Sequence, residues 1–458
     1  MAVTEIGRNA WQALGGDTSA LDAIADVSPS PGLPSRLPAA ALLSDAVAMA
    51  GLAIQQVQID RGQRRGFRTV RVDGRRLTTS AQCERHFLLD GVAPYVWAPL
   101  SGFWEAADGW IRTHGNYPHH ARRLAEILGI GLDASREEVA TAISRFDAVD
   151  LETRAAQAGA IVGAVRSPRV WSAHAEGRAV AGDPLVSVRA GGGEPHSARW
   201  DGGRGRPLDG IRVLDLTRVL AGPIATRDLA FAGAEVLRVD SPRLPEIGWQ
   251  HLETGHGKRS TMLDLADAVD RRVFEELLAS ADVVVTGYRP GSLDRYGLSV
   301  EALWERRPGI IVGSVGAWSE RGPWAARRGF DSIVQAITGI AMIESADGST
   351  PGALPAQALD HSAGHMLAAA ICIALIRRRS EGVGARVRVG LARLAHELVQ
   401  ADDAGSGSGA APLEPTVQTG ASAAGAISTA MPPFDYPGGP HEYPVLASPW
   451  GQEAATWP

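Results

Sequence analysis

A rhythm in the middle of the chain constrains the fold more than any other feature. Between residues 208 and 398, short β-rich runs alternate with helical patterns. "IRVLDLT" (211–217), "EVLRVD" (235–240), "STMLDL" (260–265), "DVVVTG" (282–287) and "GIIVGSV" (309–315) read as buried strands. "DAVDRRVFEELLASA" (267–281) and "VEALWERR" (300–307) have helical spacing. Strands alternating with helices imply βαβ units and a largely parallel sheet. The expected class is α/β, a parallel-sheet Rossmann-like large domain with a smaller α+β domain. Ligands of such sheets bind beyond the strand carboxyl ends, so the loops after Thr217, Asp240 and Gly287 matter most.

The flanks divide by composition. Residues 1–84 read as a helical and irregular segment packing on the large domain. "GFWEAADGWIRTHGNYPHHARRLAEILGI" has an Asp-Gly turn between apolar runs, then a strand and a helix, and places the α+β domain at 85–190. Residues 191–207 are a Gly- and Pro-rich linker, 208–398 the large domain, and 399–458 a low-complexity C-terminal tail. A net charge of -6 gives no basic footprint, so no nucleic-acid partner is expected. Cys83 and Cys372 stand far apart with neither metal nor disulfide spacing, which suits a reducing cytoplasm. The run Met366 to Ile376 is shorter than the about 20 residues a bilayer needs, and the N-terminus lacks a signal-peptide profile. A cytoplasmic protein without a membrane partner is expected.

No G-x-G-x-x-G follows the first strand and no G-x-x-x-x-G-K-[ST] occurs, which removes the main support for dinucleotide or P-loop chemistry. His114, His119 and His120 have no carboxylate or cysteine at ligand spacing, so no metal is expected. In "PAQALDHSAG" (355–364) Asp360 is the lone acid, directly before a helical run that ends in arginines. By its local pattern Asp360 is an N-cap; by its chemistry it is a carboxylate able to attack an acyl group. Asp331 in "GFD" reads as a cap of its own helix or a hydrogen-bonding neighbour of a site.

"LDGIRVLDLTRVLAGPIATRDLAFAGAEVLRVDSP", "GKRSTMLDL", "ADVVVTGYRPGSLDRYGL", "GFDSIVQAITGI" and "ALDHSAGHMLAA" keep the order and spacing of one family over about 190 residues. The block resembles the class III CoA-transferases (CaiB/BaiF), which include α-methylacyl-CoA racemases. The resemblance implies an acyl-CoA transferase with coenzyme A as co-substrate, acyl-CoA and carboxylic acid substrates, no metal and a homodimer. It makes Asp360 the nucleophile, through a mixed anhydride and an aspartyl-CoA thioester. It places Val219, Ala221, Leu263, Tyr288, Arg295, Tyr296 and Arg328 along CoA. Lys258 and Arg259 read as phosphate contacts or turn residues. Family racemases carry "GHD" where this chain reads "GFD"; Phe330 cannot move a proton, which disfavours racemisation. The small-domain-like segment precedes the large block, the reverse of the usual order, as in a circular permutation or a trimmed tandem fusion. A racemase or isomerase, and a catalytically degenerate CoA-binding subunit, are the rival readings.

Overall fold

The computed structural model describes residues 3–191, 205–402 and 412–457. Thirteen strands form three sheets among the described residues. In chain order they are β1 (Leu88–Leu89), β2 (Gly102–Ala106), β3 (Gly109–Thr113), β4 (Val162–Ala164), β5 (Val186–Ala190), β6 (Arg212–Leu216), β7 (Glu235–Asp240), β8 (Lys258–Met262), β9 (Val283–Thr286), β10 (Ile311–Gly316), β11 (Ala385–Gly390), β12 (Val417–Ser422) and β13 (Gly425–Ala430).

The large sheet has the order β5-β11-β10-β9-β6-β7-β8. Every pair from β11 to β8 is parallel, and only the edge strand β5 runs antiparallel. The mixed α/β class with a large parallel sheet follows the strand–helix rhythm. Strands buried on both faces need unbroken apolar runs, and Val283, Val284 and Val285 in β9 are all buried.

The core beneath this sheet is built on two helices, Ala39–Asp60 and Ala358–Glu381, which pack along each other. Both are long and apolar enough to cross a membrane, yet both are largely enclosed by protein, as core helices are.

A second core lies between the antiparallel sheet β2-β3-β4 and helices Pro118–Leu128, Arg136–Ile143 and Ala148–Ala158. Local chemistry sets these helix ends. Pro118 opens the first, a Ser135–Glu138 capping box opens the second, and Gly129 and Gly159 close the first and third in left-handed conformation.

Several boundaries differ from the sequence expectation. Residues 186–190, assigned to the small domain, form β5 at the edge of the large sheet. β1, also assigned there, pairs with β13 instead. The segment read as a low-complexity tail holds the β12–β13 hairpin, and its end lies on the free edge of β8. There the Glu453 N–H donates to the Ser260 carbonyl at 2.9 Å. Covering that edge satisfies backbone groups that would otherwise be open to pairing. Most of the expected linker, residues 192–204, lies outside the described residues, as does the Gly/Ser stretch 403–411.

Candidate active site

Asp360 sits in the first turn of the 358–381 helix and is 7% exposed. It is not the N-cap. That position is Gln357, whose side chain makes no cap bond. The cap comes from another helix: Asp331, first residue of Asp331–Thr338, accepts from the Asp360 N–H at 2.9 Å and also from the Leu359 N–H. Gln335 donates to the other Asp331 oxygen and accepts from the Leu354 N–H at 2.9 Å, which ties the approach to Asp360 to the same helix. These amides are therefore engaged, and the His361 N–H is taken by the Gln357 carbonyl. The helix start leaves none of these three amides free for an oxyanion.

The electrostatics follow from two buried carboxylates side by side. Burial, then the Asp331 charge, pushes Asp360 well above the usual carboxylate range. Burial raises Asp331 to about 6, against the hydrogen bonds it accepts. Among the described residues none donates a hydrogen bond to the Asp360 carboxylate. Its lone pairs are uncommitted, as a nucleophile requires.

Helix Ala221–Phe231, which follows the loop after β6, crosses the 358–381 helix closely. A Cβ on Gly364 would lie 2.6 Å from the Ala221 carbonyl and 2.8 Å from the Ile224 side chain. Only glycine allows this approach, one turn beyond Asp360. In the loop Val219 adopts φ 72°, a left-handed conformation that is an outlier for a β-branched residue. Beneath it Asp215 accepts from the Thr217 N–H at 2.9 Å and from Lys258 Nζ at 3.1 Å. Lys258, weighed as a phosphate contact, is thus buried, with Nζ also donating to the Pro223 carbonyl at 2.7 Å. Burial lowers its pKa to about 8 against the pull of Asp215.

The other expected CoA residues lie along neighbouring carboxyl ends. Leu263 is buried, with Tyr288 and Tyr296 half-buried in the same apolar cluster. Arg295 is exposed and stacks over the Tyr296 ring at 4.7 Å. Arg328 is half-buried and, with Arg289 and Arg327, lines a cavity of about 40 Å³ against residues 156–162. The structure thus brings Ala221 against Gly364, one turn from Asp360, and gathers Leu263, Tyr288, Arg295 and Tyr296 separately.

The antiparallel sheet contributes to this junction. Tyr117 donates its hydroxyl to Glu246 at 2.5 Å, and Arg218, in the loop after Thr217, lies over the Tyr117 ring. Burial alone would raise Glu246, but Arg238 and Arg218 beside it hold it at about 2. His114 stacks on Phe330 with ring centres 3.9 Å apart. The sequence offered Asp331 as a hydrogen-bonding neighbour of a site without showing that Asp360 is its partner, and gave no sign of the Tyr117–Glu246 link. The lone acid in "GFD" was the only available signal for the first.

Residues 208–429 match the family model described as CoA-transferase family III. A probable fatty acyl-CoA transferase, Rv3272, of Mycobacterium tuberculosis is 33% identical over 199 residues, 41% of this chain and 50% of the relative. The human succinyl-CoA:glutarate CoA-transferase is 33% identical, covering 44% of this chain and 49% of the relative. The acetyl-CoA:oxalate CoA-transferase of Acetobacter aceti is 34% identical, covering 42% and 54%. The chain spans about half the length of these curated relatives. A crystal structure of Rv3272 aligns at 32% identity over 43% of this chain and 58% of that one, with a TM-score of 0.40.

Proposed function

We propose, for a chain whose residues 208–429 belong to CoA-transferase family III, that it moves CoA between carboxylic acids with Asp360 as nucleophile. The observation that carries this reading is the Asp360 carboxylate itself. It is buried, has no hydrogen-bond donor among the described residues, and stands one helical turn from the glycine crossing to the helix after the strained β6 loop. The names of the relatives, each a CoA transferase, support the reaction class.

In this reading the Asp360 carboxylate attacks the thioester carbonyl. A C–O bond forms, the C–S bond breaks, and the CoA thiolate leaves with the electron pair. The thiolate attacks the Asp360 carbonyl of the mixed anhydride, giving an aspartyl-CoA thioester and releasing the donor carboxylate. An acceptor carboxylate then attacks that thioester, and the thiolate returns to the acceptor's carbonyl, restoring Asp360. The apolar surroundings protect both intermediates from water. Val219, Ala221, Leu263, Tyr288, Arg295, Tyr296 and Arg328 are the proposed CoA contacts. A cytoplasmic homodimer is part of the same proposal.

The racemase reading needs a second base where Phe330 stands. His114 lies over that ring, but burial lowers its pKa to about 3. So weak a base is poorly matched to abstracting an α-proton at neutral pH. Acyl-CoA supplied without acceptor should leave a covalent adduct on the Asp360 peptide, trappable with hydroxylamine. Asp360→Asn should leave none. Exchange of the α-proton into deuterated water without an acceptor, and no adduct, would instead favour the racemase.

A further inference from the structure

The two imidazoles that flank Phe330 are not used by the chemistry above. His114, at the end of β3, is 6% exposed and stacks on the Phe330 ring with an interplanar angle of 6°. His120, in the first turn of Pro118–Leu128, is 5% exposed and meets the same ring edge-on at 5.9 Å. Both carry a buried Nδ1 with no hydrogen-bond partner among the described residues. Leaving a buried imidazole nitrogen unpaired costs stability, and here it happens twice around one ring. That ring belongs to the residue before Asp331, whose carboxylate holds the Asp360 amide.

The charges around the pair are positive. Burial first, then His119, His114, Arg328 and Arg123, lower His120 to about 2; burial and Arg112 lower His114 to about 3. Each imidazole is therefore neutral, with one N–H to donate, in a positive surrounding and with no carboxylate among the causes. Such a pair suits a carboxylate ligand, because neutral donors and nearby guanidiniums favour an anion without requiring imidazolium.

We propose that His114 and His120 form the acceptor-recognition site, donating hydrogen bonds to the carboxylate of the incoming acid while Phe330 packs against its carbon chain. The proposal rests on the CoA-transfer reading for the acid's role, but its binding half stands apart from that reading. Phenylalanine at either position keeps the ring packing and removes the donor. Asparagine loses the ring but keeps a donor near the place of Nδ1.

The test uses the full chain with succinate, butyrate and benzoate as probes. Histidine ring signals are followed by NMR as each acid is added, and adduct formation from acyl-CoA is followed by mass spectrometry. A saturable shift of both histidines with at least one acid is expected. Affinity should fall about tenfold in folded His114→Phe and His120→Phe, with partial recovery in the Asn variants. Adduct formation is read in the wild type, where it tests the CoA-transfer reading alone. Absence of any shift, or Phe variants that bind as wild type, would overturn the proposal. A persistent shift without any Asp360 adduct would support the carboxylate site while removing the CoA-transfer reading.

Discussion

The Asp331 carboxylate accepts the backbone N–H of Asp360 at 2.9 Å, so the residue that fixes the position of the proposed nucleophile is also a like charge beside it. Position and reactivity are thereby coupled. Asp331 caps the helix start, and its charge disfavours ionisation of the carboxylate proposed to attack.

This coupling sets a pH dependence. Asp360 is raised by burial and by Asp331, so it becomes protonated and unreactive at a pH above the ordinary carboxylate range. Adduct formation from acyl-CoA should fall as pH drops through that raised value. Asp331→Asn keeps an acceptor for the Asp360 amide but removes the like charge. The acid limb of the rate profile should then move to lower pH. A limb that stays in place would mean that Asp331 does not govern Asp360 ionisation.

A second expectation concerns stability. Asp360 is raised in the folded state relative to an unfolded value of about 3.9. Its ionisation therefore costs nothing at low pH, and the cost grows as pH rises from the unfolded value towards the folded one. Asp360→Asn and Asp360→Ala should melt above wild type at about pH 8, and the difference should close near about pH 4. By its local pattern Asp360 would be a cap, and Ala would then lose about 1 kcal/mol more than Asn. Since Asp331 supplies the cap, no such extra loss is expected. Thermal melts at both pH values check this, and an Ala variant less stable than Asn at each pH would restore a capping role.

How much of this was legible in the sequence depends on the range of each interaction. The parallel strands were visible because burial on both faces demands consecutive apolar residues, as in "DVVVTG". The β12–β13 hairpin was not, because its Gly, Ala, Ser and Thr content matches a low-complexity stretch. Its strand order comes from tertiary contacts such as the Gln418–Tyr443 pairing, in which the Tyr443 N–H donates to Gln418 at 2.8 Å. Asp360 stood out as a lone acid before an apolar helix, but its local pattern pointed to the wrong cap. Asp331 lies 29 residues away, and only the fold brings the two together. The left-handed Val219 left no trace, since nothing in "TRVLAGP" demands a strained residue at that point.

That strain yields a third prediction. A left-handed L-residue costs roughly 1–2 kcal/mol, part of which glycine's entropy offsets. Val219→Gly should raise stability by up to about 1 kcal/mol. If the strain serves to hold the loop ready for CoA, calorimetry should show weaker CoA binding with a less favourable entropy. Unchanged binding in the stabilised variant would reduce Val219 to a local oddity of the turn.

The last prediction tests the helix crossing one turn from Asp360. In Gly364→Ala the new methyl would lie 2.6 Å from the Ala221 carbonyl and 2.8 Å from Ile224, too close for either to remain in place. Backbone must move, because Ala221 is the first residue of its helix and its carbonyl is part of the chain. Overpacking of this kind costs about 1–3 kcal/mol. The cost should appear in the melting temperature, together with a loss of adduct formation larger than any loss of CoA affinity. The reason is geometric: the displaced contact lies one turn from the proposed attacking carboxylate, whereas Leu263, Tyr288 and Tyr296 sit in a different cluster. Gly222→Ala is the comparison, since its methyl would meet the Thr217 side chain at 2.4 Å and distort the loop itself. That variant should lose CoA affinity first. If both variants lost affinity and adduct formation in the same proportion, the crossing would have no role distinct from the loop.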